Sequence, residues 1–404
     1  MRWFIVLSIL LVLEVYAFCA VKSVTQNRWI YLLYFIVSLF ILLNFFLRLL
    51  GPQDSGMVGA KAYAFGMVLA LVLAQVVLVF FLFVEDILRV GVALFTKETY
   101  ASKSIQLPSR RKFVAQLALG IAAIPFSSLL FGMIKGKYNY KVLQYELEFE
   151  DLPEAFDGYQ ITQISDLHCG SFDNRDKVAH GIDLINAQKS DLIFFTGDLV
   201  NNSAEELQDW KTLFASIQAP DGVLSVLGNH DYGQYRHWDS AQAQQENLDQ
   251  LKKTQKDMGW DLLLNERRSL ERDGQYLHII GVENWGSGHF PKYGDIDKAT
   301  GDLRPTDFKI VLSHDPSHWK EILQQHKKNF QLTLSGHTHG MQFGIEIPGV
   351  VKWSPIKYRY KYWAGVYEVD GRYLNVNRGF GYLAYPGRVG IWPEITVIKL
   401  KKTS

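Results

Sequence analysis

Three apolar runs fill the first 84 residues and restrict that part of the chain to helices. Trp3 to Val21 is interrupted by Glu14 alone, Trp29 to Leu50 by Asn44 and Arg48, and Tyr63 to Val84 has Gln75 as its clearly polar member. Each is close to the roughly 20 residues with which a helix crosses a bilayer, where every backbone polar group must be paired within the segment. A fourth run, Phe113 to Ile134, is less oily and contains Pro125. It reads as a fourth spanning or anchoring helix, with an interfacial or buried helix as the alternative. The expected division is therefore 1–112 for three spans (about 3–21, 29–50 and 63–84) and a basic linker, 113–134 for the fourth helix, and 144–400 for a separate domain.

Loop charge gives this arrangement a direction. Arg89, Lys97, Lys103, Arg110, Arg111 and Lys112 lie between runs three and four, whereas Lys61 stands between runs two and three beside the flanking Arg48. An excess of Lys and Arg marks the cytoplasmic side, and Lys22 and Arg28 in the first connection agree. Four spans then place the domain on the extracytoplasmic side of a multi-pass inner (cell) membrane. Ser109-Arg110-Arg111-Lys112-Phe113 is similar to a twin-arginine export motif, although it is internal and paired arginines beside a spanning helix are common. Glu14 is expensive in hydrocarbon; the plainer reading is that it snorkels or packs against a neighbouring helix.

Beyond the fourth run the pattern changes to short apolar runs, each followed by a box of polar residues. Gln160 to Ile164 precedes Asp166-Leu167-His168; Leu192 to Phe195 precedes Gly197-Asp198; Val223 to Leu227 precedes Gly228-Asn229-His230-Asp231. Lys309 to Leu312 precedes Ser313-His314-Asp315, and Gln331 to Leu334 precedes Gly336-His337-Thr338-His339. Such runs read as buried strands, and loops at strand ends are where α/β sheets build sites. Helix-like stretches at Asp176 to Gln188, Ala204 to Ile217 and Ser240 to Met258 alternate with them, which predicts sheet layers covered by helices. Imidazole, carboxylate and amide donors in one set suit manganese, iron or zinc better than magnesium or calcium. Only Cys19 and Cys169 are present, so thiolate zinc sites and disulfide frameworks are excluded. The balance of 42 basic and 41 acidic residues leaves no electrostatic footprint for nucleic acid.

The boxes, in this order, resemble those of the calcineurin-like metallophosphoesterases over roughly Gln144 to Leu400. With the late Asn377-Arg378-Gly379 and Trp392-Pro393-Glu394, the chain is similar to the membrane-associated bacterial branch that cleaves phosphodiester or pyrophosphate bonds. Met341 stands where that family usually has a second glycine. The resemblance implies a four-layer α/β/β/α sandwich and two divalent metal ions (Mn, Fe or Zn). One ion is expected on Asp166, His168 and His339, the other on Asn229, His314 and His337, with Asp198 bridging them and a water between them as nucleophile. His230 is expected to contact the phosphate or protonate the leaving oxygen, and Asp231 to accept a hydrogen bond from its ring. A phosphoester substrate is implied, and the membrane anchor favours a lipid-linked or envelope one. The alternatives are a phosphomonoesterase or nucleotidase, and a non-catalytic membrane sensor that keeps the metal-binding domain.

His180, His237, His278, His318 and His326 are expected to be solvated or structural, whereas His289, in the glycine-rich loop Asn284 to Phe290, is a candidate for reaching substrate. Arg378 and Arg388 are candidates for pairing with a phosphate. Trp353 to Trp363 alternates aromatic and basic side chains and is expected to form an edge strand, with a membrane-surface contact or an anionic headgroup pocket as alternatives. Val369 to Val376, with Asp370-Gly371 at its centre, reads as a β-hairpin, and Thr396 to Leu400 as a closing strand.

Overall fold

The structure is a computed structural model that describes residues 2–51, 57–95 and 108–403. It divides into two compact units, one built from Met1–Ser55 and Gly59–Ile134 and the other on Lys135–Ser404.

The first unit holds four helices, α1 (Arg2–Val24), α2 (Arg28–Leu49), α3 (Gly59–Phe95) and α4 (Pro108–Ile134). All four are long and apolar enough to cross a membrane. Their packing is the reverse of a water-soluble bundle. Ala17 and Ala20 of α1 meet Leu78 and Leu82 of α3 and Ala115, Ala118 and Ala122 of α4 in the interior, while Phe4, Leu11, Phe40 and Phe80 face outward. Small residues let helix backbones approach where lipid offers no hydrophobic drive for association. Glu14 packs rather than snorkels, its carboxylate accepting from Ser38 Oγ (2.6 Å) and from Gln75 Nε2. The third helix outruns its apolar segment, so Arg89 is helical and pairs with Asp86 at 2.7 Å, and Arg111 of α4 pairs with Glu85 and Asp86. Lys97 and Lys103 of the expected linker lie outside the described residues.

The second unit is an α/β domain with two six-stranded sheets. The first contains β1 (Lys141–Phe149), β2 (Gln160–Ile164), β3 (Leu192–Phe195), β4 (Val223–Ser225), β5 (Trp260–Leu262) and β14 (Glu394–Lys402), in the order β1-β14-β2-β3-β4-β5. The second contains β6 (Glu266–Arg272), β7 (Gln275–Gly281), β8 (Lys309–Leu312), β9 (Leu332–Ser335), β12 (Gly365–Val369) and β13 (Arg372–Val376), in the order β12-β13-β9-β8-β7-β6. A separate two-stranded hairpin pairs β10 (Ile345–Ile347) with β11 (Val351–Trp353).

Period-2 alternation decides how the layers stack. Ile161, Leu192 and Phe194 meet Ile279, Ile310, Leu312 and Leu332 in one core between the sheets. Ile164, Ile193 and Phe195 instead meet Val178, Ile182 and Ile185 of the helix Arg175–Asn186. On the far side, Ile280, Val311 and Val376 pack under Ala299, Trp319 and Leu323. The layers are therefore helix, sheet, sheet, helix.

Two local expectations change. Ala204 to Ile217 is not one helix but a 3₁₀ turn, Ala204–Leu207, and a short helix, Lys211–Phe214. Glu206 turns back to accept from the Asn201, Asn202 and Ser203 N–H groups, which fixes a capping box at the start. The Trp353 to Trp363 segment is not an edge strand: after Trp353, Ser354 caps a 3₁₀ turn over Pro355–Tyr358. Pro355 lacks the N–H a ladder needs and its φ suits a first helical position. The Asp370-Gly371 turn between β12 and β13 forms as its residues require, with φ of 51° and 72°.

Candidate metal centre

The parallel strands β2, β3 and β4 of one sheet and β8 and β9 of the other release their loops at their carboxyl ends, and those loops carry the five boxes. Close backbone approach holds them together. A Cβ on Gly228 would lie 2.2 Å from Asp198 Oδ1, and one on Gly336 would lie 2.2 Å from Asp166 Oδ2. The turns are tight enough to put Asp166, His168, Asp198, His337 and His339 in the left-handed region, with φ of 52°, 46°, 59°, 71° and 51°. Clusters of such non-glycine residues accompany functional sites.

Three overlapping triads result. Asp166, His168 and His339 form one, His168, Asp198 and His230 a second, and Asp198, His314 and His337 a third, each with ligand atoms within 4.8 Å of one another. Asn229 joins the third group, its Oδ1 2.8 Å from His337 Nδ1. Asp198 Oδ2 lies 3.1 Å from His314 Nε2 and 3.6 Å from His168 Nε2, between the two ends.

The donor set fits divalent cations. His314 Nδ1 donates to the Thr196 carbonyl at 2.7 Å, which turns the buried Nε2 into the site beside Asp198 Oδ2. His168 Nδ1 is likewise turned to Asn201 Oδ1 at 3.2 Å, so its Nε2 faces His339 Nε2 at 3.0 Å. Facing lone pairs beside the buried carboxylates of Asp166 and Asp198 call for a positive charge among them. Burial favours a neutral His314 ring, yet the Asp198 carboxylate outweighs burial and lifts its pKa to about 10. Burial would likewise raise Asp166, but His339 and His314 hold its carboxyl well below the usual range.

His337 is oriented from behind. Its Nε2 meets Tyr360 Oη at 2.8 Å and lies 3.4 Å from Asp315 Oδ2, which directs Nδ1 toward Asn229. Such outer partners typically contribute 10- to 100-fold in metal affinity. Tyr360→Phe is therefore expected to weaken metal binding by about that factor with the fold intact, as read by metal titration.

His230 is half-buried. Its Nδ1 bonds the Asn201 carbonyl at 2.7 Å, and its ring sits edge-on to His168 and 4.5 Å from Tyr235. Asp231 does not touch that ring, contrary to expectation. Its buried carboxylate accepts instead from the N–H groups of Gly228 (2.8 Å), Asp198 (3.0 Å), Leu199 (2.8 Å) and Val200 (3.3 Å), and so ties two ligand loops together. Burial and the nearby Asp198 charge push its pKa up to about 7.

The two arginines also turn inward. Arg378 pairs with Glu346 (2.6 Å) and with Glu394. Arg388 is fully buried and donates to the Arg378, Gly379 and Gly381 carbonyls. Both charges are satisfied internally, so neither is offered to a phosphate. His289 is exposed, whereas its neighbour Phe290 packs edge-on against His337 at 4.8 Å. Asn201, Tyr235, Phe290 and Tyr360 were not singled out from sequence as site residues; only Phe290, in the glycine-rich loop, and Tyr360, in the aromatic and basic run, lay in segments that carried a signal. Beside Tyr360 opens a cavity of about 210 Å³ lined by Lys320, Arg359 and Lys361, with Glu321 as the acid.

His318, expected to be structural, stacks on Trp285 at 4.9 Å and bonds Ser313 Oγ at 2.9 Å, and burial lowers its pKa to about 3. The unfolded chain therefore takes up the extra proton first, from about pH 6.5 downward. Stability is full above that value and is lost as pH falls toward 3. A decrease of about 2 kcal/mol between pH 6.5 and 5 is expected, and His318→Gln should flatten that slope in thermal unfolding.

Comparison with known proteins matches the same two regions. Residues 159–341 match the family model "Calcineurin-like phosphoesterase", and residues 1–137 match "Probable Calcineurin-like phosphoesterase, transmembrane domain". A Bacillus subtilis protein, "Uncharacterized metallophosphoesterase YkuE", is 29% identical over 308 residues, covering 73% of this chain and 99% of that protein. A Danio rerio "Transmembrane protein with metallophosphoesterase domain" is 28% identical over 335 residues, 81% of this chain and 71% of its own length. An Aquifex aeolicus metallophosphoesterase is 27% identical over 65% of this chain and 93% of its own. With the box geometry and both matched regions in agreement, this membrane-associated chain belongs to the calcineurin-like metallophosphoesterases.

Proposed function

We propose that the second unit hydrolyses a phosphodiester or pyrophosphate bond in a lipid-linked or envelope substrate, on the extracytoplasmic side of the cell membrane, with two divalent cations. The observation that carries this reading is the sharing of Asp198 between two ligand groups, because a shared carboxylate is how two cations are held close enough to act on one phosphoryl group. Asp166, His168 and His339 would hold one, and Asn229, His314 and His337 the other. When bound, the cations supply Lewis-acid polarisation of the phosphoryl oxygens and lower the pKa of water.

The chain's own residues do the rest. With Nδ1–H engaged by the Asn201 carbonyl, the protonated His230 ring has Nε2–H as the donor for the leaving oxygen. Asp231 keeps the Asp198 and Asn229 loops in register, and Tyr360 and Asp315 fix the His337 ring. The basic cavity beside Tyr360 suits a substrate with charge beyond the scissile group, which favours a diphosphate or anionic headgroup over a simple monoester.

The test uses the full chain in detergent with manganese. Bis-para-nitrophenyl phosphate, the mono-ester, a lipid-linked pyrophosphate, a phospholipid and soluble nucleotides are compared at equal concentration. Turnover of the diester and of a lipid substrate above the monoester supports the reading. Preference for the monoester or for soluble nucleotides sinks it, and stoichiometric metal with no turnover on any phosphoester favours a sensor.

A further inference from the structure

The β10–β11 hairpin is built inside out. Residues opposite one another in an antiparallel pair share a face, and the register pairs Ile345 with Trp353, Glu346 with Lys352, and Ile347 with Val351. The charged pair faces the protein: Glu346 meets Arg378 at 2.6 Å, and Lys352 donates to the Ala364 carbonyl. The aliphatic residues face away, Ile345, Ile347 and Val351 being 52%, 51% and 37% exposed. Val350, in the Pro348-Gly349 turn, is 79% exposed, and Met341 just before the hairpin is 55% exposed with φ of 56°. In the second unit, the large aliphatic side chains exposed to this degree are these five and Ile322, among the described residues. Isolated exposed apolar residues are ordinary, but a contiguous patch marks a partner.

Two further observations identify the partner. Lys357, Arg359 and Lys361 follow and are exposed, as is Tyr358 at 79%, with Lys357 over its ring. Aliphatic tips rimmed by Lys, Arg and an aromatic ring match the boundary between acyl chains and anionic headgroups. The hairpin is also tied to the start of the second unit. Its base, Gly344, bonds the Val389 carbonyl at 2.9 Å, and a Cβ on Gly136 would lie 2.2 Å from the Arg388 carbonyl and 3.1 Å from Trp392. Only Lys135 separates Gly136 from the last residue of α4, Ile134. The segment 388–392 thus braces both the hairpin and the first residues of the second unit.

We infer that the β10–β11 hairpin and the Lys357–Lys361 segment form a docking surface for an anionic lipid bilayer, into which Ile345, Ile347, Val350 and Met341 insert. His339 is two residues from Met341, so this surface would bring a lipid-borne phosphate to the metal centre.

The full chain is placed in nanodiscs of phosphatidylcholine, alone or mixed with phosphatidylglycerol. An environment-sensitive fluorophore is attached at V350C, or for comparison at K256C on the exposed face of the helix Ala241–Asp257. Cys19 is replaced by Ala, Cys169 being buried. The expected result is blue-shifted emission at 350, quenched several-fold more by nitroxide-bearing lipids than at 256, with stronger quenching in the anionic discs. K357Q/R359Q/K361Q should reduce that quenching to the level of the neutral discs. Equal thermal midpoints of the labelled chains exclude unfolding as the cause. Emission and quenching at 350 equal to those at 256 overturn the inference. A blue shift without lipid quenching also overturns it, because a protein, a second copy of this chain included, then covers the hairpin. Unchanged quenching in the triple variant removes the basic segment from the surface.

Discussion

Asp198→Ala is expected to abolish both metal binding and hydrolysis, a larger effect than any other single substitution in the second unit. Its carboxylate belongs to two of the three triads, so on the proposed two-cation reading both ions would lose a ligand at once. Loss should exceed the roughly 100-fold that removal of an outer partner costs, and elemental analysis of the purified chain should find less than one metal per molecule. Asp198→Asn separates charge from shape. It keeps an acceptor for the His230 N–H, now 2.8 Å from Oδ1, but supplies no negative charge, so it should fold with its loops in place and still bind poorly. Two tightly bound metals in Asp198→Ala would show that the carboxylate does not bridge, and the two-cation reading would fail.

His230→Ala should produce a different defect. If the ring protonates the leaving oxygen, turnover falls by about 10² to 10⁴-fold while metal content is unchanged. The size of the loss should follow the leaving group: small for para-nitrophenol, which departs without a proton, and large for an alkyl alcohol. The geometry offers a clear alternative, since His230 also forms a triad with His168 and Asp198. Loss of metal from His230→Ala, with the same fall for both leaving groups, would make it a ligand and remove its acid role.

Much of this site was legible because short strands with an apolar buried face end directly before boxes of ligand-type residues. The observed β2, β3 and β8 have the bounds of Gln160 to Ile164, Leu192 to Phe195 and Lys309 to Leu312. What was not legible depends on loops approaching one another. Asn201 sets the orientation of two histidine rings, yet in sequence it is one asparagine in a polar stretch. Arg378 and Arg388 showed their charge but not their partners, because Glu346, Glu394 and the backbone carbonyls are brought to them by the tertiary fold. The β10–β11 hairpin was not read from the sequence at all: its strands, Ile345–Ile347 and Val351–Trp353, are three residues each, too short for alternation to show, and its apolar face is turned away from the protein.

The left-handed turns at Asp166, His168, Asp198, His337 and His339 have a consequence for selection. An L-residue in that region is disfavoured by roughly 1 to 2 kcal/mol, least for Asn and Asp and not at all for Gly. The histidine positions therefore hold side chains that the backbone alone would not choose. A library randomised at these five positions and sorted only for thermal resistance should drift toward glycine and asparagine and shed its metals as it stabilises. Sorting the same library for metal retention should return His and Asp at lower melting temperature, so the divergence of the two pools would measure how much stability the centre gives up to exist.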